Sequence, residues 1–205
     1  MHNHKNRVVM GSLFVGKTAP DFSAQAVVDG EVKNISLKDY RGKYVILFFY
    51  PKDFTYVCPT ELHAFQHSLE EFESRGAQIL GCSVDDLDTH KRWLETDKKA
   101  GGVKGITYPL ISDTTQELSK LYSVLDLQSG LSFRGSFLID KDGIIRHMVI
   151  NDLPLGRSID EELRVLDALI FFENHGLVCP ANWQQGQKAM APNEEGLKEY
   201  FGTID

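Results

Sequence analysis

The 205-residue chain is long enough for one domain of ordinary size with an arm, and its 42% apolar content supports a sizeable core. A net charge of −7, with no block of like charge, argues against nucleic acid or an anionic membrane as partner. No run of about 18 apolar residues exists, so no transmembrane helix is expected; the N-terminus MHNHKNRVVMGSLFVGK lacks an apolar core of signal-peptide length, so the expected location is cytoplasmic. Residues 1–10 read as an N-terminal extension, with Met10 a candidate natural start.

Strands and helices alternate from about residue 43. KYVILFFY (43–50) is a continuous apolar run rich in β-branched and aromatic residues, which predicts a buried strand. Over 59–75, Leu62, Phe65, Leu69 and Phe72 step by three and four, which predicts a helix that Gly76 stops. AQILGCSV (77–84) reads as the next buried strand and closes a right-handed βαβ unit. DDLDTH reads as a solvated loop and helix cap, and THKRWLETDKKAGG (89–102) as a helix ending at Gly101. YPLIS (108–112) is a short strand, and TTQELSKLY (114–122) a helix with a capping box from Thr114 and Glu117. FRGSFLID (133–140) and GIIRHMVI (143–150) are strands joined by DKDG, a hairpin turn rather than a calcium loop. SIDEELRVLDALIFFENHG (158–176) is the clearest helix, with a capping box from Ser158 and Glu161 and a stop at Gly176. Residues 11–176 thus form the domain. Residues 177–205 have scattered Pro and Gly and little periodicity; they read as a C-terminal arm lying on this subunit or another, packed by Trp183 and Pro180.

The cysteines are Cys58, Cys82 and Cys179, too few for a disulfide framework and none in a C-x-x-C pair. Cys58 follows the carboxyl end of a buried strand and opens a helix, with Pro59 suited to the first helical position. The unpaired N–H groups and dipole of a helix start favour an anion, and a thiolate is one. Position alone leaves two readings open: a reactive thiolate, or a small buried hydrophobe. Cys82 ends a buried strand and reads as core packing. His63 and His67 have metal-ligand spacing, yet no Cys, Asp or Glu nearby completes a set and both fall off the apolar stripe. A solvated face is expected there, and neither a metal nor a cofactor.

The neighbours of Cys58 carry more. Pro51, Thr55 and Cys58 form P-x-x-x-T-x-x-C, and DFTYVCPTEL resembles the extended active-site signature of the peroxiredoxins. GKTAPDFSA, LGCSVDD, FRGSFLID and NDLPLGRSIDE fall in that family's order and spacing. HGLVCPANW (175–183) resembles the resolving-cysteine motif of the typical two-cysteine subgroup, the group that includes the small subunit of alkyl hydroperoxide reductase. The resemblance runs from about Ser12 to Phe201. It implies an α/β fold of thioredoxin-like type: a central mixed sheet flanked by helices, with an extended C-terminal arm. It also implies a thiol peroxidase for hydrogen peroxide and small organic hydroperoxides.

The same resemblance assigns roles. Cys58 is the peroxidatic nucleophile and becomes a sulfenic acid. Arg134 faces the thiolate, Thr55 hydrogen-bonds the peroxide and the thiolate, Pro51 shields the sulfenic acid, and Glu61 holds Arg134 and a second arginine, Arg157. Cys179 of a dimer partner resolves the sulfenic acid as an intersubunit disulfide, in a homodimer and a ring of dimers. Thioredoxin or a flavoprotein disulfide reductase reopens it. A holdase or peroxide-sensing relay is the alternative role; a thioredoxin-type oxidoreductase is disfavoured by the missing C-x-x-C. Members that overoxidise easily carry a Gly-Gly-Leu-Gly loop and a C-terminal Tyr-Phe pair. This chain has GGVKG (101–105) and Tyr200–Phe201, with Lys104 in place of the loop's last glycine. Loss of a residue that freely takes positive φ is expected to alter the loop, loosen the tail and give intermediate sensitivity.

Overall fold

The apolar run near residue 44 becomes the centre of a sheet in the computed structural model, which describes residues 13–203. The N-terminal extension over 1–10 lies outside the described residues. The strands are β1 (Ser23–Val28), β2 (Glu31–Ser36), β3 (Tyr44–Phe49), β4 (Ala77–Ser83), β5 (Leu110–Ser112), β6 (Arg134–Ile139) and β7 (Ile145–Asn151). They form one sheet in the order β2-β1-β5-β4-β3-β6-β7. The β3–β4 and β4–β5 pairs are parallel and the others antiparallel. The helices are α1 (Cys58–His67), α2 (Leu69–Ser74), α3 (Leu87–Glu95), α4 (Glu117–Leu121), α5 (Ile159–His175) and α6 (Glu194–Phe201).

Period-2 alternation along β3 builds two cores. Tyr44, Ile46, Phe48 and Tyr50 join Leu62, Phe65, Phe72, Trp93 and Leu166 on one face. Val45, Leu47 and Phe49 join Leu118, Tyr122 and Phe137 on the other. Phe48 stacks on Phe65 with ring centroids 4.4 Å apart, which fixes α1 over the carboxyl end of β3. Helices on both faces of a mixed sheet make the thioredoxin-like arrangement that the resemblance implies. No helix among the described residues is long and apolar enough to cross a membrane.

Local details depart from the sequence reading. The helix over 59–75 breaks at Ser68 into α1 and α2. Cys58 itself is the first helical residue, so Pro59 takes the second position, where its missing N–H is still harmless. The helix over 89–102 stops at Glu95; a 3₁₀ turn, Lys98–Ala100, follows and Gly101 ends it at φ 79°. The Thr114–Glu117 box does not form: Gln116 precedes α4 in the left-handed region, and Asp113 takes the amides of Leu118 and Ser119 at 3.0 and 2.7 Å. Ser158 does cap α5 and Gly176 ends it, but the Glu161 carboxylate pairs with Arg164 instead of completing the box. The β1–β2 hairpin has no counterpart in the sequence reading, and α6 lies where periodicity shows no helix, though the family's Tyr-Phe pair sits in one.

Candidate active site

The loop 51–57 carries the chain from β3 to α1. Val57, which precedes the helix, has helical φ and ψ and supplies no side-chain cap. No side chain caps the first turn, but Pro59 carries no N–H and the Thr60 and Glu61 amides donate to the Val57 carbonyl at 3.0 and 3.3 Å, so the helix start offers an anion chiefly its dipole. Cys58 stands there, fully buried. Arg134, the first residue of β6, brings Nη1 to 3.4 Å from Cys58 Sγ. The same Nη1 donates to Glu61 Oε2 at 2.7 Å, and Nε donates to the Leu153 carbonyl at 2.7 Å.

Glu61 lies on α1 one turn beyond Cys58 and is 3% exposed. Its Oε1 accepts from the Arg157 backbone amide and Nε, both at 2.9 Å, and its Oε2 from Arg157 Nη2 at 2.9 Å. Arg157 Nη1 donates to the carbonyls of Phe49 and Gly135 at 2.8 and 2.7 Å, and its guanidinium lies 5.1 Å from the Phe48 ring centroid. One carboxylate thus orients two arginines. Arg157 ties β3, β6 and α1 together, while Arg134 is aimed at sulfur. A buried ion cluster of this kind is tolerable because nearly every donor and acceptor is bonded.

Pro51 is buried at the loop's start. Thr55 donates from Oγ1 to the Lys52 carbonyl at 2.9 Å; among the described residues its hydroxyl makes no hydrogen bond to Cys58. Sequence, then, leads to Cys58, Glu61, Arg134 and Arg157, which the fold brings into one cluster, and to Thr55 and Pro51, which the fold keeps on the loop beside it. Cys179 is elsewhere. It is half-buried in the arm, with Sγ 3.6 Å from the Ala168 carbonyl of α5. Burial raises its thiol pKa, against the opposing pull of Arg164. All three cysteines are unpaired, and Cys82 is buried in the second core, where burial, then Asp113, pushes its thiol far up.

Two features escaped the sequence reading. DDLDTH is not a solvated loop. Asp86 does cap α3, taking the Thr89 amide at 2.7 Å, but Asp85 and His90 are buried. Asp85 takes the Asp53 amide at 2.8 Å. Asp53 in turn faces Tyr50 Oη at 2.9 Å and His90 Nδ1 at 2.7 Å, while His90 Nε2 donates to the Ile111 carbonyl at 3.2 Å. This network anchors the active-site loop from beneath. It also lets Phe54 hold φ 54°, a strained value for a bulky residue, beside Trp93. The second feature is His63, which is half-buried rather than solvated: its Nε2 donates to the Gly102 carbonyl at 3.0 Å. His67 is exposed as expected, and no metal-competent cluster exists among the described residues.

The GGVKG loop also differs. Gly101 and Gly105 take positive φ, but Lys104 does not, and its amide bonds the Thr96 carbonyl at 3.1 Å. Lysine therefore fits without deforming the backbone, and the expected loosening by Lys104 has no basis in the fold.

Known proteins match along nearly the whole chain. Residues 15–148 match the AhpC/TSA family, and residues 168–203 match the C-terminal domain of 1-Cys peroxiredoxin. A thioredoxin peroxidase of Echinococcus granulosus is 52% identical over 92% of this chain and 98% of its own length. Peroxiredoxin-2 of Mus musculus is 50% identical over 93% of this chain and 96% of its own. The reduced 2-Cys peroxiredoxin of Plasmodium vivax superposes with a TM-score of 0.91 at 45% identity, covering 94% of this chain and all of that one. With the buried cysteine–arginine–glutamate cluster in place at the start of α1, these matches establish that the chain belongs to the AhpC/TSA family and is a peroxiredoxin, an oxidoreductase that reduces peroxides.

Proposed function

We propose that this peroxidase acts on hydrogen peroxide and small organic hydroperoxides through Cys58. The thiolate attacks the nearer peroxide oxygen and the O–O bond breaks. Sulfur is oxidised to sulfenic acid, and the departing oxygen takes a proton and leaves as water or an alcohol. Arg134 stabilises the thiolate and the charge moving onto the leaving oxygen. Glu61 and Arg157 hold Arg134 in line. Thr55 turns its hydroxyl to the bound peroxide, and Pro51 shields the sulfenic acid from water. The partner subunit's Cys179 then condenses with the sulfenic acid, releasing water and forming an intersubunit disulfide. An external dithiol, thioredoxin or a flavoprotein disulfide reductase, reopens it. The names of the relatives favour thioredoxin. The working unit is a homodimer, assembled into a ring of dimers, and three unpaired cysteines suit the reducing cytoplasm.

The observation that carries this reading is the 3.4 Å approach of Arg134 Nη1 to Cys58 Sγ at an uncapped helix start. The test is peroxide consumption with a thioredoxin system, comparing wild type with Cys58→Ser. Loss of turnover is expected. Full turnover in the variant would remove Cys58 from the reaction.

A further inference from the structure

Among the described residues, three buried side-chain polar atoms lack a hydrogen-bond partner: both carboxyl oxygens of Glu162 and the hydroxyl of Ser136. Glu162 lies in the first turns of α5 and is 2% exposed; Ser136, in β6, is fully buried. The charged and polar groups that act on the carboxyl are Ser136 from β6, His147 from β7, Arg157 from the segment entering α5, and Glu161 on α5 itself. The pair adjoins the active site through the chain. Arg134 and Gly135 precede Ser136 on β6, and the Gly135 carbonyl accepts from Arg157 Nη1 at 2.7 Å.

The charge count around Cys58 gives this carboxyl a role. Arg134 and Arg157 supply two positive charges and Glu61 one negative charge, so one positive charge remains for the thiolate. An ionised Glu162 near Arg157 would cancel it. An ionised carboxylate without bonded oxygens in the interior is also costly in its own right, whereas a neutral acid is far less so.

We propose that Glu162 works as a positioning residue in its neutral, protonated form, which keeps one positive charge of the Arg134–Glu61–Arg157 cluster for the Cys58 thiolate, and that its ionisation slows peroxide reduction. Burial holds the Glu162 carboxyl above the usual carboxylate range, against Ser136, His147 and Arg157, with Glu161 adding to the rise. As pH climbs through that raised value the proton leaves for solvent, and the cluster loses its net charge. The inference rests on the reading of Cys58 as the attacking thiolate.

The experiment measures the second-order rate of Cys58 oxidation by hydrogen peroxide in the full chain, from about pH 5 to about pH 9. Wild type is compared with Glu162→Gln and Ser136→Ala. Relative to wild type, Glu162→Gln should speed up with rising pH, the ratio of rates increasing by about three- to tenfold. Ser136 is not bonded to the carboxyl in this geometry, yet its neighbouring hydroxyl favours the ionised form, so in Ser136→Ala the slowing should set in at higher pH than in wild type. Infrared difference spectra between wild type and Glu162→Gln should show the C=O stretch of a protonated acid, titrating with the same midpoint. A pH-independent ratio, or no protonated-acid band at any pH, overturns the proposal. Should Glu162→Gln fail to fold, an unmoved midpoint in Ser136→Ala overturns it. If Cys58 is not the nucleophile, its mass stays unchanged with peroxide in every protein; if only the present inference is wrong, Cys58 oxidises with superimposable pH profiles.

Discussion

Arg134 is held by two acceptors, the Leu153 carbonyl at Nε and the Glu61 carboxylate at Nη1. Glu61 keeps three bonds from Arg157, so Arg134→Ala leaves no orphaned buried charge. The variant should therefore fold, while peroxide reduction falls by about a hundredfold, corresponding to the ~3 kcal/mol a preorganised cation supplies at developing charge. Stopped-flow rates beside thermal melts check this; a rate within about twofold of wild type removes Arg134 from the site. His90 gives a pH-dependent counterpart. Burial alone would lower its pKa, but Asp53, the Ile111 carbonyl and Asp85 outweigh burial and raise it. Both ring nitrogens face acceptors, which suits the imidazolium. A histidine with a raised folded pKa stabilises fully below its unfolded value of about 6.5, and the contribution fades as pH rises through the folded value. Urea denaturation should thus show stability declining above about pH 6.5 in wild type and a flatter profile in His90→Gln. Parallel profiles would mean that His90 is neutral throughout that range. Arg134 and Glu61 were legible through the family motifs, but the His90 pairing was not: Asp53 and His90 meet across two elements, and periodicity carries no signal for such a pairing.

At the scale of elements, legibility followed burial. β3 is buried at all six positions, so its composition alone declares it. β2 is exposed at its first four residues and buries only Ile35, so the hairpin with β1 leaves no alternating pattern to read. The α6 helix buries only Gly196, which packs on Ala191, and its Asn193 cap was hidden among the prolines and glycines of the arm. The break at Ser68 was invisible because Leu62, Phe65, Leu69 and Phe72 keep one apolar stripe across it. The same limit applies to the 101–105 loop. Its amides at Gly102, Val103 and Lys104 bond the carbonyls of Asp97, Trp93 and Thr96, and its Gly102 carbonyl is held by His63. A Cβ on Gly102 would lie 1.9 Å from the Thr96 carbonyl oxygen, so that glycine is required for close approach. Lys104, outside the left-handed region and paired with Asp97 at 3.0 Å on the surface, is not under the same demand. Lys104→Gly should consequently lower stability by about 0.5–1 kcal/mol through added freedom of the unfolded chain, and leave the yield of Cys58 sulfinic acid unchanged. A marked rise in that yield would restore the lysine as a control on the loop.

The whole molecule separates the two thiols proposed to react. Cys58 is sealed beneath the arginines, whereas Cys179 rests on α5 in an arm held by Trp183, which is 2% exposed and lies 4.9 Å from Phe171. Arg164 reinforces the arm through the Trp183 carbonyl at 3.1 Å. A disulfide brings its two Cβ atoms within about 4.5 Å, so Cys58 must leave its pocket and the arm must shift before the sulfurs can join. The first turn of α1 can yield, since no side chain caps it. Cys179→Ser should accordingly keep the first turnover, give no covalent dimer on non-reducing electrophoresis and lose turnover with a protein reductant; a persistent dimer would point to another resolving thiol. A tail packed on α1 would delay that opening. The α6 helix is tied back to the arm by Lys188, which reaches Glu199 at 3.4 Å and Thr203 at 2.9 Å, and it leaves Leu197 and Phe201 exposed at 47% and 65%. An open groove along α1, lined by Pro59, Thr60, His63, Ala64, His67, Lys98, Gly101 and Gly102, offers such side chains a largely apolar seat. A tail seated there from a neighbouring subunit would hold α1 folded, and a sulfenic acid kept folded meets a second peroxide before it meets Cys179. Deleting residues 199–205 removes Tyr200 and Phe201 together with the anchor for Lys188, so α1 should open sooner and sulfinic acid should fall. Mass spectrometry of Cys58 across a peroxide titration with reductant recycling measures it, and equal yields from full-length and truncated protein would leave the opening of α1 under the control of its own first turn alone.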